Sequence, residues 1–268
     1  MMLNVQGHEA YCYTGGKPFN PELPTVVFIH GAQNDHSVWV LQTRYFAHHG
    51  FGVLAVDLPG HGRSKGVPLT SVEAMADWVL ALLDAAGVQH AALIGHSMGA
   101  LIALEATHRA PARVKKLAMV GVAYPMKVSE ALLDAAKNAE HEAIDMVNIW
   151  SHSSIAQKPS YPAPGFYVMG GSQRLMQHIS RHNREQVFYT DFVACNSYAN
   201  GEAAARVAAC PALLLLGKRD MMTPPKATAA LTKHIPHAEV VQIENCGHQL
   251  MAEQPDAVLD TLFAFARK

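Results

Sequence analysis

The sequence predicts an α/β architecture, a mostly parallel central sheet flanked by helices, and three observations predict it. Short, nearly continuous apolar runs bounded by Gly, Pro and Asp alternate with longer segments whose apolar residues recur at helical spacing. Those runs lack the polar alternation of a strand with one wet face, so they read as strands covered on both sides. Of the 268 residues, 50% are hydrophobic, enough apolar material for one large core.

Taken in order, strands are expected at residues 25–29, 52–56, 90–94, 114–120, 212–216 and 239–243, all of them buried. Helices are expected at 37–49, 72–86, 98–109, 225–234 and 255–267. The last opens on Pro255, a position where the missing N–H would have no partner inside the helix. From about Ala123 to Ala205 the alternation stops. Helix-like pieces at 129–138, 142–150 and 172–182 surround a Pro-rich loop at 158–165, with no convincing strand. Trp150, Phe166, Tyr167, Phe188 and several methionines give this stretch material for packing, which argues for a helical insertion rather than a linker. The expected organisation is a core of residues 1–122 and 206–268 carrying a cap of residues 123–205.

Composition removes several classes of function. Lys and Arg number 21 against 22 Asp and Glu, so nothing resembles a phosphate-tracking surface and nucleic acid is not an expected partner. Cys12, Cys195, Cys210 and Cys246 form no Cys-x-x-Cys pair and read as reduced thiols of a cytoplasmic protein. The first residues show no basic start followed by an apolar stretch, and no later run reaches membrane-spanning length, so neither a signal peptide nor a membrane association is expected. The 16 histidines include no His-Glu-x-x-His or comparable spacing, so no metal is expected either.

Gly95, His96, Ser97, Met98 and Gly99 spell G-x-S-x-G between an expected strand and an expected helix. Small residues two before and two after a serine let the chain turn tightly enough to project its oxygen. A serine hydroxyl needs a general base within hydrogen-bond reach, and that base needs an orienting group. His248 follows the strand at 239–243, and Asp220 follows the strand at 212–216. Both therefore fall beyond carboxyl ends of strands, where a parallel sheet places its site. Glu244 competes with Asp220 for the orienting role. For a developing oxyanion, the loop after His30 and Gly31 offers the backbone N–H of Ala32, with Gln33 as the alternative, and Met98 offers its own N–H.

Together these residues resemble the α/β-hydrolase family over nearly the whole chain. The resemblance runs from Phe28-Ile29-His30-Gly31, through Asp57-Leu58-Pro59-Gly60-His61-Gly62-Arg63-Ser64 and the serine turn, to Gly217-Lys218-Arg219-Asp220 and Gly247-His248. It implies Ser97 as nucleophile, His248 as base, Asp220 as its acid, Ala32 and Met98 as oxyanion donors, and residues 57–64 as a structural turn. Gly-His-Ser-Met-Gly looks most like carboxylesterases, lactonases and monoacylglycerol lipases. Family members that use an aspartate nucleophile differ at Ser97, those with tryptophan after the serine differ at Met98, and many carbon–carbon bond hydrolases carry asparagine in place of His96.

The resemblance thus implies cofactor-free hydrolysis of an ester, thioester or lactone of a small to medium apolar acyl substrate, by a monomer or small homo-oligomer. A carbon–carbon bond hydrolase, an amidase and a ligand receptor of the same fold are the rival readings. Arg174, His178 and Arg181 fall at helical spacing and read as a solvated face, with a substrate-carboxylate clamp as the alternative. Met126, Met146, Met169, Met176, Met221, Met222 and Met251 read mainly as core filling, with an adaptable acyl pocket as the alternative.

Overall fold

A computed structural model describes residues 1–154, 167–182 and 186–268. The expected Pro-rich loop at 158–165 and Phe166 lie outside the described residues. In chain order the strands are β1 (Met2–Val5), β2 (His8–Tyr13), β3 (Thr25–Ile29), β4 (Gly52–Val56), β5 (Ala91–His96), β6 (Val114–Val120), β7 (Ala212–Gly217) and β8 (Glu239–Ile243). They form one sheet in the order β1-β2-β4-β3-β5-β6-β7-β8. From β4 to β8 every pairing is parallel, while β1 and β2 form an antiparallel hairpin whose second strand pairs antiparallel with β4.

All six expected strands are present. The reading of 239–243 as buried is corrected, because among the described residues β8 closes the sheet beside β7 and exposes Glu239, Val240 and Gln242. The β1–β2 hairpin was not among the expected elements. Its turn places Gln6 and Gly7 at positive φ (52° and 85°), the backbone that a two-residue hairpin turn requires.

The helices are α1 (Val40–His48), α2 (Val72–Ala85), α3 (Met98–Arg109), α4 (Glu130–Asn138), α5 (Glu140–Trp150), α6 (Val168–His182), α7 (Val187–Ser197), α8 (Gly201–Val207), α9 (Ala229–His234), α10 (Leu250–Glu253) and α11 (Pro255–Arg267). Short 3-10 turns at His36–Trp39 and Pro225–Thr228 lead into α1 and α9, so each of those expected helices begins with a tighter turn. Ser71 and Ser129 cap α2 and α4 by accepting from the N–H groups of Ala74 and Leu132.

The period of two along each strand divides the core into two layers. Val27 and Ile29 of β3, with Leu214 and Leu216 of β7, face a layer built with α2, α3, α8 and α9. Val26 and Phe28, with Leu213 and Leu215, face a layer that includes Trp39, Phe46 of α1 and Val258, Leu262 and Phe265 of α11. A third cluster joins Leu132 of α4, Ile144 and Val147 of α5, Met176 of α6, and Phe188 and Phe192 of α7. These four helices lie in the chain between β6 and β7 and share an apolar cluster of their own. Ala204 and Ala205 of α8 belong instead to the sheet's own core.

Candidate active site

Ser97 sits between β5 and α3 with φ 54° and ψ −118°, a strained backbone for a residue with a side chain. Its N–H donates to the Val120 carbonyl of β6 at 2.9 Å, which holds the turn against the sheet. The flanking glycines are obligatory for steric reasons. A Cβ on Gly95 would lie 2.0 Å from the Gly99 carbonyl oxygen, and one on Gly99 would lie 2.4 Å from that of Ile29.

The structure brings Asp220 and His248 together. His248 Nδ1 lies 2.8 Å from Asp220 Oδ2, with both side chains buried. Their loops are bonded to each other, since Arg219 N–H donates to Cys246 O and Lys218 N–H to Ile243 O. A Cβ on Gly217 would stand 2.2 Å from the Gly247 carbonyl, so this close approach of the loops needs glycine. Glu244, the competing acid, is exposed and pairs with Lys218. Ser97 and His248 line the same cavity, and in this structure their side chains make no direct hydrogen bond. Such contacts commonly tighten only when substrate is bound.

The carboxylate of Asp220 is fully engaged. Oδ1 accepts from the N–H groups of Met222 (2.8 Å) and Thr223 (2.7 Å), and Oδ2 accepts from Thr223 Oγ1 (2.7 Å) as well as from His248. Burial pushes its pKa up, but the His248 charge and these hydrogen bonds outweigh burial and hold it below the usual carboxylate value.

His96 bonds to the backbone of His248. Its Nε2–H donates to the His248 carbonyl at 2.8 Å, and the rings lie 4.7 Å apart. Burial, reinforced by the His248 charge, pushes the His96 pKa down to about 3, so the ring is neutral. Sequence reasoning missed Thr223 and the structural part of His96. The only sequence signal was their proximity to Asp220 and Ser97.

Ala32, expected as an oxyanion donor, follows β3 and lines the cavity with Ser97. Its N–H donates to no other group among the described residues. Gln33, the alternative donor, is already committed, because its N–H donates to Asp191 Oδ2 at 2.9 Å. Met98 is buried as the first residue of α3, where no carbonyl four residues back can receive its N–H.

The cavity beside Ser97 measures about 170 Å³ and is walled by Met126, Leu132, Trp150, Phe192 and Met222. A smaller chamber of about 30 Å³ shares Ala32, Ser97 and His248 and extends to Asn34, His96 and Ser151. Of the methionines, Met126, Met221 and Met222 line the larger cavity, whereas Met176 and Met251 are buried in apolar clusters. Arg174, His178 and Arg181 are exposed on α6, as a solvated face would be.

Among the described residues, Asp35, His36 and Asp57 are the cluster whose ligand atoms approach within 4.8 Å of one another. Those atoms are spent internally. Asp35 caps Ser37 N–H, while Asp57 accepts from His36 N–H, His36 Nδ1 and Arg63 N–H. This agrees with a structural role for the turn at 57–64. No helix of the described residues is long and apolar enough to cross a membrane.

A family model described as the alpha/beta hydrolase family matches residues 26–261. The chain belongs to the α/β-hydrolase family. This hydrolase is 29% identical over 236 residues to a pimeloyl-[acyl-carrier protein] methyl ester esterase of Chromobacterium violaceum, covering 84% of the chain and 87% of that protein. It is 26% identical over 252 residues to the dihydrolipoyllysine-residue acetyltransferase component of the acetoin cleaving system of Pseudomonas putida. That match covers 91% of the chain and 63% of the larger protein, so the hydrolase spans less than two thirds of that relative. The enol-lactonase of Burkholderia xenovorans LB400 superposes with a TM-score of 0.83 over the full length of both chains at 20% identity, a likeness of fold.

Proposed function

We propose that the protein is a serine hydrolase that cleaves a carboxylic ester, thioester or lactone of a small to medium apolar acyl substrate through an acyl-enzyme. The observation that carries this reading is the strained Ser97 turn opening on the cavity that also receives His248, itself held by Asp220. The methyl ester esterase among its relatives and the apolar walls of the cavity support an ester substrate.

In the first half-reaction, Ser97 Oγ attacks the carbonyl carbon while His248 takes its proton. The N–H groups of Ala32 and Met98 receive the oxyanion, and collapse expels the alcohol, protonated by His248. In the second half, water takes the place of the alcohol and His248 activates it. The 30 Å³ chamber beside Ser97 has room for a single water molecule. Helices α4 to α7 act as a cap that selects the acyl group. We place the enzyme in the cytoplasm, as a monomer or small homo-oligomer that needs no cofactor and binds neither nucleic acid nor membrane.

A fluorophosphonate probe is expected to label the parent protein and not Ser97→Ala, whose ester turnover should fall by roughly four to six powers of ten with the fold retained. A folded Ser97→Ala protein that hydrolyses p-nitrophenyl esters at the parent rate would remove Ser97 from the mechanism. Comparison of esters, lactones, amides and β-diketones separates ester cleavage from amidase or carbon–carbon chemistry. Single-turnover acylation with capture of a partner would instead indicate a receptor.

A further inference from the structure

Gln33 follows Ala32 and adopts φ 54°, a left-handed conformation that a residue with a side chain holds only when its surroundings impose it. Three of the four inserted helices impose it here. The Gln33 N–H donates to Asp191 Oδ2 of α7 at 2.9 Å, and its Nε2 lies within hydrogen-bond range of Glu140 Oε1 of α5 and of Met176 O and Ser180 Oγ of α6.

The same carboxylate oxygen lies 2.9 Å from His61 Nε2, and the other ring nitrogen of His61 lies 3.1 Å from Pro59 O. Both nitrogens therefore face acceptors, so the ring carries two protons and its positive charge offsets the buried carboxylate. Gln33, His61 and Asp191 are all buried. The His61 ring packs on the ring of His30 at 4.8 Å. His30 is neutral, since its Nδ1–H donates to Gly31 O at 2.8 Å and its Nε2 accepts from Leu58 N–H.

Two peptide planes are fixed by this arrangement. The Gly31–Ala32 plane contains the Ala32 N–H and is held through Gly31 O by His30. The Ala32–Gln33 plane is held through Ala32 O by Asn34 Nδ2 at 3.0 Å and through Gln33 N–H by Asp191. A planar peptide held at its carbonyl has its N–H aimed as well.

We infer that Asp191 is a positioning residue for the oxyanion site, holding the Gln33 amide and the His61 ring in one buried junction that aims the Ala32 N–H at the reacting carbonyl. The inference rests on the reading of Ser97 and Ala32 given under the proposed function. It makes the inserted helices part of the catalytic geometry as well as the wall of the cavity.

The test compares Asp191→Asn with the parent by kcat, by KM for a short p-nitrophenyl ester, and by inhibition with an alkyl boronic acid, whose tetrahedral adduct on Ser97 mimics the oxyanion. The expected result is a loss of roughly 30- to 100-fold in both kcat and boronate affinity, with KM within about threefold. If Asp191→Asn does not fold, the double variant His61→Leu/Asp191→Leu removes both buried charges together and is judged by the same figures. A folded variant with kcat and boronate affinity within about threefold of the parent, or with a change in KM or melting temperature alone, overturns the inference. Failure of the underlying reading looks different: the parent itself would resist the boronate and Ser97→Ala would keep its activity.

Discussion

The carbonyl oxygen of Ser151, just past the end of α5, accepts a hydrogen bond from the backbone N–H of His248 at 2.8 Å. It also accepts from Gln249 N–H at 3.0 Å, so helix α5 ends on the loop that carries His248. Glu253 fastens the same junction. Its Oε1 accepts from Gly247 N–H at 2.7 Å, and its Oε2 accepts from Ser153 N–H at 3.0 Å and from Ser153 Oγ. Helix α5 therefore cannot swing away as a lid without breaking the support of His248.

Glu253→Gln should expose that dependence. The amide nitrogen of glutamine cannot accept, so one buried N–H would lose its acceptor at a cost of about 2 kcal/mol. Urea denaturation should report that loss, and kcat should fall with it because the loop that carries His248 loosens. Unchanged stability together with unchanged kcat would show that the junction holds without the carboxylate.

Thr223 offers a more local test. Its hydroxyl donates to Asp220 Oδ2 and lies 3.1 Å from His248 Nδ1, which places it where those two side chains meet. Thr223→Val keeps the shape and removes this one donor. The expected loss is about 1 kcal/mol of orientation, or roughly fivefold in kcat, with KM unchanged. Steady-state kinetics on the purified variant checks it, and a KM effect without a kcat effect would place Thr223 in substrate binding instead.

The parts of the site that the sequence revealed are those governed by local sterics and by strand ends. Gly95 and Gly99 announce the Ser97 turn because a Cβ at either would collide with backbone. Asp220 and His248 each follow an apolar run, so their convergence follows from a parallel sheet. Asp191, Glu253 and His61 were illegible because their roles depend on partners far away in sequence. Asp191 and His61, for example, are 130 residues apart. Helix α7, which carries Asp191, buries Val187, Phe188, Phe192, Ala194 and Cys195 and so shows no polar face by which to recognise it. The exposure of β8 depends on strand order, which no run of residues encodes by itself.

Stability should vary with pH through the buried histidines, and the signs differ among them. Burial and a neighbouring ring hold His30 at about 4 and His96 at about 3, so both stay neutral in the fold. In the unfolded chain a histidine titrates near ~6.5, so below that value the unfolded state binds more protons. Their stabilising contribution is thus present above ~6.5 and is lost as pH falls toward 4 and 3. His61 is opposite. Burial lowers its pKa, but the charge and hydrogen bond of Asp191 prevail and raise it, with Asp57 adding in the same direction. Its contribution is complete below ~6.5 and is lost as pH rises through the folded value. Melting temperature measured from pH 4 to 9 should therefore decline on the acid side, and His96→Asn should flatten that decline. His61→Asn should flatten any decline on the alkaline side. An acid slope unaffected by His96→Asn would mean that other groups carry it.

Selectivity for the acyl chain should follow the cavity walls. Trp150 closes one side from the end of α5, and Leu132 of α4 faces the same space. Trp150 is partly exposed, so Trp150→Ala can enlarge the cavity without emptying the core. Each methylene that the enlarged cavity newly buries contributes about 0.8 kcal/mol, or roughly fourfold in kcat/KM. The ratio of kcat/KM for long over short p-nitrophenyl esters should accordingly rise in Trp150→Ala and fall in Leu132→Phe, which fills the space instead. A chain-length profile unchanged in both folded variants would mean that the acyl group binds elsewhere and that the helices above Ser97 do not select it.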